Sequence, residues 1–104
     1  MRMWMLPPKD LCRNHLLGEH NELHRLHGSL LKGRKISGYL KKGLLEPQNI
    51  NTRHNDLVIE MLRRGYQHKS PLLVDFKVPV GYVNREVSVS DLRERCTQCF
   101  KESV

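Results

Sequence analysis

Apolar residues recur at helical spacing through the first part of the chain. Leu16, Leu23, Leu26 and Leu30 share one face at 100° per residue, which predicts a first helix over residues 11–32 with this leucine stripe facing the core. Asp10 stands where an N-cap is expected, and Gly33 supplies the stop. Ahead of it, residues 1–8 predict a strand-like arm that ends at Pro7-Pro8. A short second helix is expected over residues 37–42, ended by Gly43. A third is expected over residues 51–64, with Leu57, Val58, Met61 and Leu62 as its apolar positions and Gly65 as its stop after Arg63-Arg64, whose charges suit that end of the helix dipole. From Leu72 to Val83 the apolar residues are broken by Pro79 and Gly81, a pattern equally consistent with a partly extended segment and an irregular loop. Ser88 or Ser90 is expected to cap a last helix over residues 90–101. The sum is an all-α chain of three to four helices, forming one compact domain over residues 1–104 with an irregular segment around 72–88.

Polar residues interrupt this pattern where chemistry is concentrated. Glu19 sits at the centre of the leucine stripe, so its carboxylate must be paired, protonated or hydrogen-bonded, because burying it alone is costly. Glu22 lies at the edge of the stripe, beside the polar face carrying Asn21 and Arg25. A carboxylate at a core rim next to a cation suits acid–base work as well as an ordinary helix ion pair. His20, His24 and His27 form a row at i, i+4 and i+7, a spacing that fits either metal ligation or a polar flank against phosphates or another helix.

Composition narrows the partners. Eighteen Lys and Arg against 11 Asp and Glu give a formal charge of +7, which favours partners with negative fields, nucleic acid above all. Residues 28–45 hold Lys32, Arg34, Lys35, Lys41 and Lys42 and no acidic residue, a patch suited to phosphate contacts that give affinity without base readout. No apolar run approaches the roughly 18–20 residues of a membrane span, and residues 1–8 are too short in apolar content for a signal peptide, so a cytoplasmic protein is expected. Three cysteines, an odd number, argue against a disulfide framework. Cys12-x2-His15 and Cys96-x2-Cys99 together make a Cys3His set, the composition of a closed structural zinc site that would staple the last helix to the first.

The run His15-Leu16-Leu17-Gly18-Glu19-His20-Asn21-Glu22-Leu23-His24-Arg25 resembles the first-helix motif of the pyrimidine-dimer DNA glycosylase (phage endonuclease V-like) family, which reads His-Leu-x-x-Glu-x-x-Glu-Leu-x-Arg. The later run Leu62-Arg63-Arg64-Gly65-Tyr66 resembles that family's helix ending in Leu-Lys-Arg-Gly-Phe, in the same order and at a matching separation. The resemblance covers roughly the first 70 residues. It implies an all-helical enzyme that flips a base out of the duplex and attacks the sugar C1′ with an N-terminal α-amine. A Schiff base forms, and β-elimination then cuts the strand. Carried over, Met1 supplies the amine, Glu22 takes the place of the assisting glutamate, Arg25 that of a phosphate-binding arginine, and Arg2 that of a basic residue following the amine. An α-amine ordinarily titrates near pH ~8, so a useful fraction is neutral at pH 7, unlike lysine. Two departures stand out. Asn21 replaces an arginine before the glutamate, and the run Cys96-Thr-Gln-Cys99-Phe100-Lys101 does not resemble the aromatic, basic tail used in lesion recognition. Double-stranded DNA with a pyrimidine dimer, another damaged base or an abasic site is the implied substrate.

The leading expectation is therefore a monomeric DNA glycosylase and abasic-site lyase. Met1 and Glu22 are its catalytic groups, and Arg2, Asn21, Arg25, Lys32, Arg34, Lys35, Arg63 and Arg64 are its DNA-facing residues. No cofactor is expected for catalysis, and Cys12, His15, Cys96 and Cys99 are the candidate ligands of a structural zinc ion. The competing readings are a non-catalytic, zinc-stapled nucleic-acid-binding domain and a metal-dependent hydrolase centred on the histidine row.

Overall fold

The computed structural model describes residues 1–101, and every regular element in it is helical. Helix α1 spans Arg13–Leu31, α2 Ser37–Lys41, α3 Ile50–Arg63 and α4 Arg85–Arg95, with single 3-10 turns at Pro8–Asp10 and Pro47–Asn49. The stops follow the glycines, because Gly33, Gly43 and Gly65 adopt φ of 67°, 68° and 85°, a region costly for side chains with a Cβ. The run from Tyr66 to Asn84 contains no regular element, so the irregular alternative is the correct one for residues 72–83.

Two helix starts differ from expectation for local reasons. Pro8 places Asp10 in a 3-10 turn, and α1 begins after Cys12, whose side chain makes no cap hydrogen bond. Helix α4 starts at Arg85 instead of near Ser90, since the Asn84 side chain accepts a hydrogen bond from the Val87 amide at 3.1 Å. It also ends at Arg95, short of Lys101, and residues 96–99 bend back toward the start of α1. There the Phe100 amide donates to the Asp10 carbonyl at 2.6 Å, and the Cys12 amide approaches Cys99 Sγ at 3.2 Å.

The core is shared by α1, α3 and the extended amino-terminal arm. Leu16, Leu23 and Leu26 of α1 are fully buried, with Met3, Leu11, Ile50, Leu57 and Leu92 around them. The arm is anchored by the Met3 amide donating to Leu44 O at 2.8 Å, a single backbone contact that forms no sheet. The inner face of α3 is more polar than its apolar spacing suggested. Arg53, His54 and Glu60 are buried beside Leu57 and Met61, while Leu62 is 56% exposed.

Glu19 meets Arg53 at the α1–α3 crossing. Arg53 Nε and Nη2 donate to the two carboxylate oxygens at 2.6 and 2.9 Å, and Nη1 donates to Leu6 O at 2.6 Å. One guanidinium thus ties both helices to the arm, and the requirement that Glu19 be paired is met. A second buried carboxylate, Glu46, organises the far side. It accepts from the Val83 amide, from Asn49 and from Arg85. Burial pushes its carboxyl up, but the Arg85, Val83 and Asn49 hydrogen bonds outweigh this and leave it below the ordinary carboxylate range.

Candidate functional site

Met1 and Arg25 line one surface cavity of about 450 Å³ together with Gly28, Ser29, Lys32, Arg34 and Tyr39. The carboxy-terminal half of α1 and the turn after it supply one wall, α2 supplies Tyr39, and the arm brings Met1. Every charged side chain in this lining is basic, so the cavity sets a field that favours an anion. Glu22 lies one turn before Arg25, with its Oε2 at 3.9 Å from Arg25 Nη1. That oxygen is buried and accepts no hydrogen bond among the described residues, which leaves a carboxylate with an unused acceptor beside the cationic cavity. Tyr39 was not singled out by sequence. It is the one aromatic residue in the basic stretch 28–45, and an aromatic face at a basic rim suits stacking on a base.

The other expected DNA-facing residues are dispersed. Arg2 turns toward α4, where Nη2 pairs with Asp91 at 2.8 Å and the guanidinium sits 4.1 Å over the Trp4 ring; it lines a separate cleft with Lys41 and Lys42. Asn21 and Lys35 are exposed and line none of these cavities. Arg63 and Arg64 border a third cavity of about 490 Å³ with Lys9, Arg13 and Lys101. Both pair with Glu60, and Arg64 also donates to Leu11 O at 2.6 Å, so its guanidinium fastens α3 to the segment before α1.

The chain ends of α1 and α4 bring together the four residues picked out by their spacing. Cys12 Sγ lies 3.2 Å from His15 Nδ1 and 3.8 Å from Cys96 Sγ, and Cys99 Sγ lies 3.5 Å from His15 Nδ1. The three thiols are free, and the four donor atoms all lie within 4.8 Å of one another. Burial pushes the Cys99 thiol up to about 12. Burial also raises Cys96, yet hydrogen bonds from the Gln98 and Cys99 backbone and from the neighbouring thiols bring it below the ordinary value. His15 is lowered, first by burial and then by Arg95.

The histidine row divides. His20 and His24 join His54 of α3 and His68 of the following segment, whereas His27 leaves the group and stacks on Phe76 with ring centroids 6.4 Å apart. The rings of His20, His24, His54 and His68 are packed with centroids 4.8–5.2 Å apart in five of their pairings. Burial lowers His20, His24 and His54, and the histidines' repulsion of one another's charged forms adds to it, taking His54 to about 4. His54 and His68 escaped notice in sequence because they lie 34 and 48 residues from His20, and only the α1–α3 crossing brings them to it.

No helix of the described residues is long and apolar enough to cross a membrane. Neither curated proteins nor solved structures give a match. The family model for pyrimidine dimer DNA glycosylase matches residues 1–74, a span that holds Met1, Glu22, Arg25 and the α1–α3 crossing. The chain belongs to the pyrimidine dimer DNA glycosylase family.

Proposed function

We propose that this chain is a DNA glycosylase with abasic-site lyase activity, in which the Met1 α-amine is the nucleophile and Glu22 the acid–base residue. The observation that carries the reading is the cavity that Met1 shares with Arg25, Lys32 and Arg34, with Glu22 ion-paired to Arg25 from one turn earlier on α1 and its Oε2 accepting no hydrogen bond. Phosphates flanking a flipped nucleotide are neutralised by these three cations, and Tyr39 offers a stacking face. The neutral amine attacks C1′, and the base departs as its glycosidic bond breaks. Opening of the sugar ring, with O4′ taking a proton, leaves an iminium between the amine nitrogen and C1′. Loss of a C2′ proton then breaks the C3′–O bond and releases the strand, and water hydrolyses the imine. Glu22 moves protons in these steps and stabilises the cationic intermediate.

Borohydride reduces such an iminium to a stable amine. Incubation with duplex DNA containing an abasic site should therefore give a covalent adduct that peptide mapping locates at Met1, and acetylation of the α-amine should prevent it. The absence of an adduct with both abasic and UV-irradiated DNA overturns the lyase and favours the competing reading, a zinc-stapled domain that binds nucleic acid without cutting it.

A structural zinc ion at Cys12, His15, Cys96 and Cys99 belongs to the same proposal and to its competitor. A tetrahedron with zinc–sulfur bonds of about 2.3 Å has sulfur–sulfur edges of about 3.8 Å. The Cys12–Cys96 separation is 3.8 Å. Three thiolates and one imidazole close the coordination shell, so this ion would join residues 96–99 to α1 and take no part in the reaction. Cobalt(II) loaded into the purified chain should give a thiolate-to-metal charge-transfer band that Cys96→Ser weakens or abolishes. A folded wild-type chain without this band rules the staple out.

A further inference from the structure

We infer that His20, His24, His54 and His68 form a second metal site, a four-imidazole clamp for a divalent transition ion of the zinc class at the α1–α3 crossing. One ring nitrogen from each residue lies within 4.8 Å of the other three. The Nε2 atoms of all four are buried and have no hydrogen-bond partner among the described residues. His20 and His54 are each only 6% exposed. Four such nitrogens left unpaired in one place are costly in either tautomer, because N–H groups would face one another or lone pairs would. A cation at their centre satisfies all four lone pairs at once.

Ring spacing agrees with a single central ion. With metal–nitrogen bonds of about 2.0–2.1 Å, each imidazole centroid stands about 3.2 Å from the metal, and tetrahedral placement then sets centroids about 5.2 Å apart. The observed spacings are 4.8–5.2 Å. The donor set names the class of ion. Imidazole nitrogens without a carboxylate or carbonyl ligand suit zinc, cobalt, nickel or copper and do not suit magnesium or calcium, which need oxygen. Four protein ligands leave no vertex for water or substrate, so the ion is structural.

Its consequence lies in the positions of the ligands along α1. His20 and His24 flank Glu22, and His15 lies about two turns earlier on the same helix, just after its N-cap residue Cys12. A bound ion fixes the turn carrying Glu22 against α3 and holds the start of the irregular run through His68. The site is independent of whether the amine chemistry proposed above is correct.

Cobalt(II) separates this cluster from the cysteine one, since only thiolates give the charge-transfer band while both sites give tetrahedral d–d bands. The wild-type chain, stripped and titrated with cobalt, should take up two equivalents. The His24→Gln/His68→Gln variant, which alters the two less buried ligands, should take up one and keep the thiolate band, which also reports that the chain is folded. If the cysteine cluster takes no ion, the wild type should bind one equivalent with d–d bands alone, the variant none, and circular dichroism then reports the variant's fold. Zinc should raise the melting temperature of the wild type more than that of the variant. A folded wild-type chain whose only cobalt is accounted for by the thiolate band overturns the site, as does a variant that binds as many equivalents as the wild type.

Discussion

Replacing Glu19 by alanine should lower the stability of the chain by about 3–5 kcal/mol, the cost expected when one partner of a buried ion pair is removed. Arg53 is 4% exposed in its side chain and Glu19 0%, so water cannot solvate the guanidinium that the substitution orphans. Two of its three donors would lose their acceptors, and only the bond to Leu6 O would remain. A chain of this size has about 5–15 kcal/mol of stability in total, so the change should shift most of a urea unfolding curve to lower denaturant. Arg53→Ala should cost a similar amount, because it leaves Glu19 as a lone carboxylate in the leucine stripe. The double variant Glu19→Leu/Arg53→Met should recover a large part of the loss, since two apolar side chains leave neither charge unpaired. A loss below about 1 kcal/mol for Glu19→Ala is the value of a solvated pair and contradicts the buried geometry.

This pair also shows how far the sequence could be read. A carboxylate in the middle of an apolar stripe announces that a partner exists, because its own helix supplies the evidence. It does not say which residue answers. Arg53 is one of 18 Lys and Arg, and its burial follows from the rotation of α3, whose inner face is set by contacts across the crossing rather than by its own apolar spacing. Residues close in sequence were read well for the same reason. Cys12 with His15 and Cys96 with Cys99 are each within one turn or loop, so spacing alone proposed the set that the chain ends assemble. The histidine row failed at its third member. Periodicity placed His27 with His20 and His24, but it stacks on Phe76, and His54 and His68 fill the cluster from elements far along the chain. Caps were misplaced for two local reasons: Pro8 took Asp10 into a 3-10 turn, and the Asn84 side chain capped α4 before either serine.

Glu22→Gln should reduce strand cleavage at an abasic site by about 10²–10⁴-fold, the range lost with a positioned acid–base group. The amide keeps the shape and the hydrogen-bonding reach of the side chain but can neither take up a proton nor offset the charge of an iminium. Stability should change little. The Glu22 side chain is 30% exposed, Arg25 is 75% exposed and their ion pair spans 3.9 Å, a contact worth at most about 1 kcal/mol. DNA binding should be retained or slightly tightened, since one negative charge is removed from beside Arg25, which lines the basic cavity with Lys32 and Arg34. Arg25→Ala should act in the opposite sense, weakening binding and its dependence on salt while leaving the rate at saturating DNA closer to wild type. The two variants thus separate chemistry from positioning on adjacent turns of α1. A Glu22→Gln variant that cuts abasic DNA within about tenfold of wild type assigns the proton transfers to another group. One that fails to cut because it no longer binds assigns Glu22 to the architecture of the cavity.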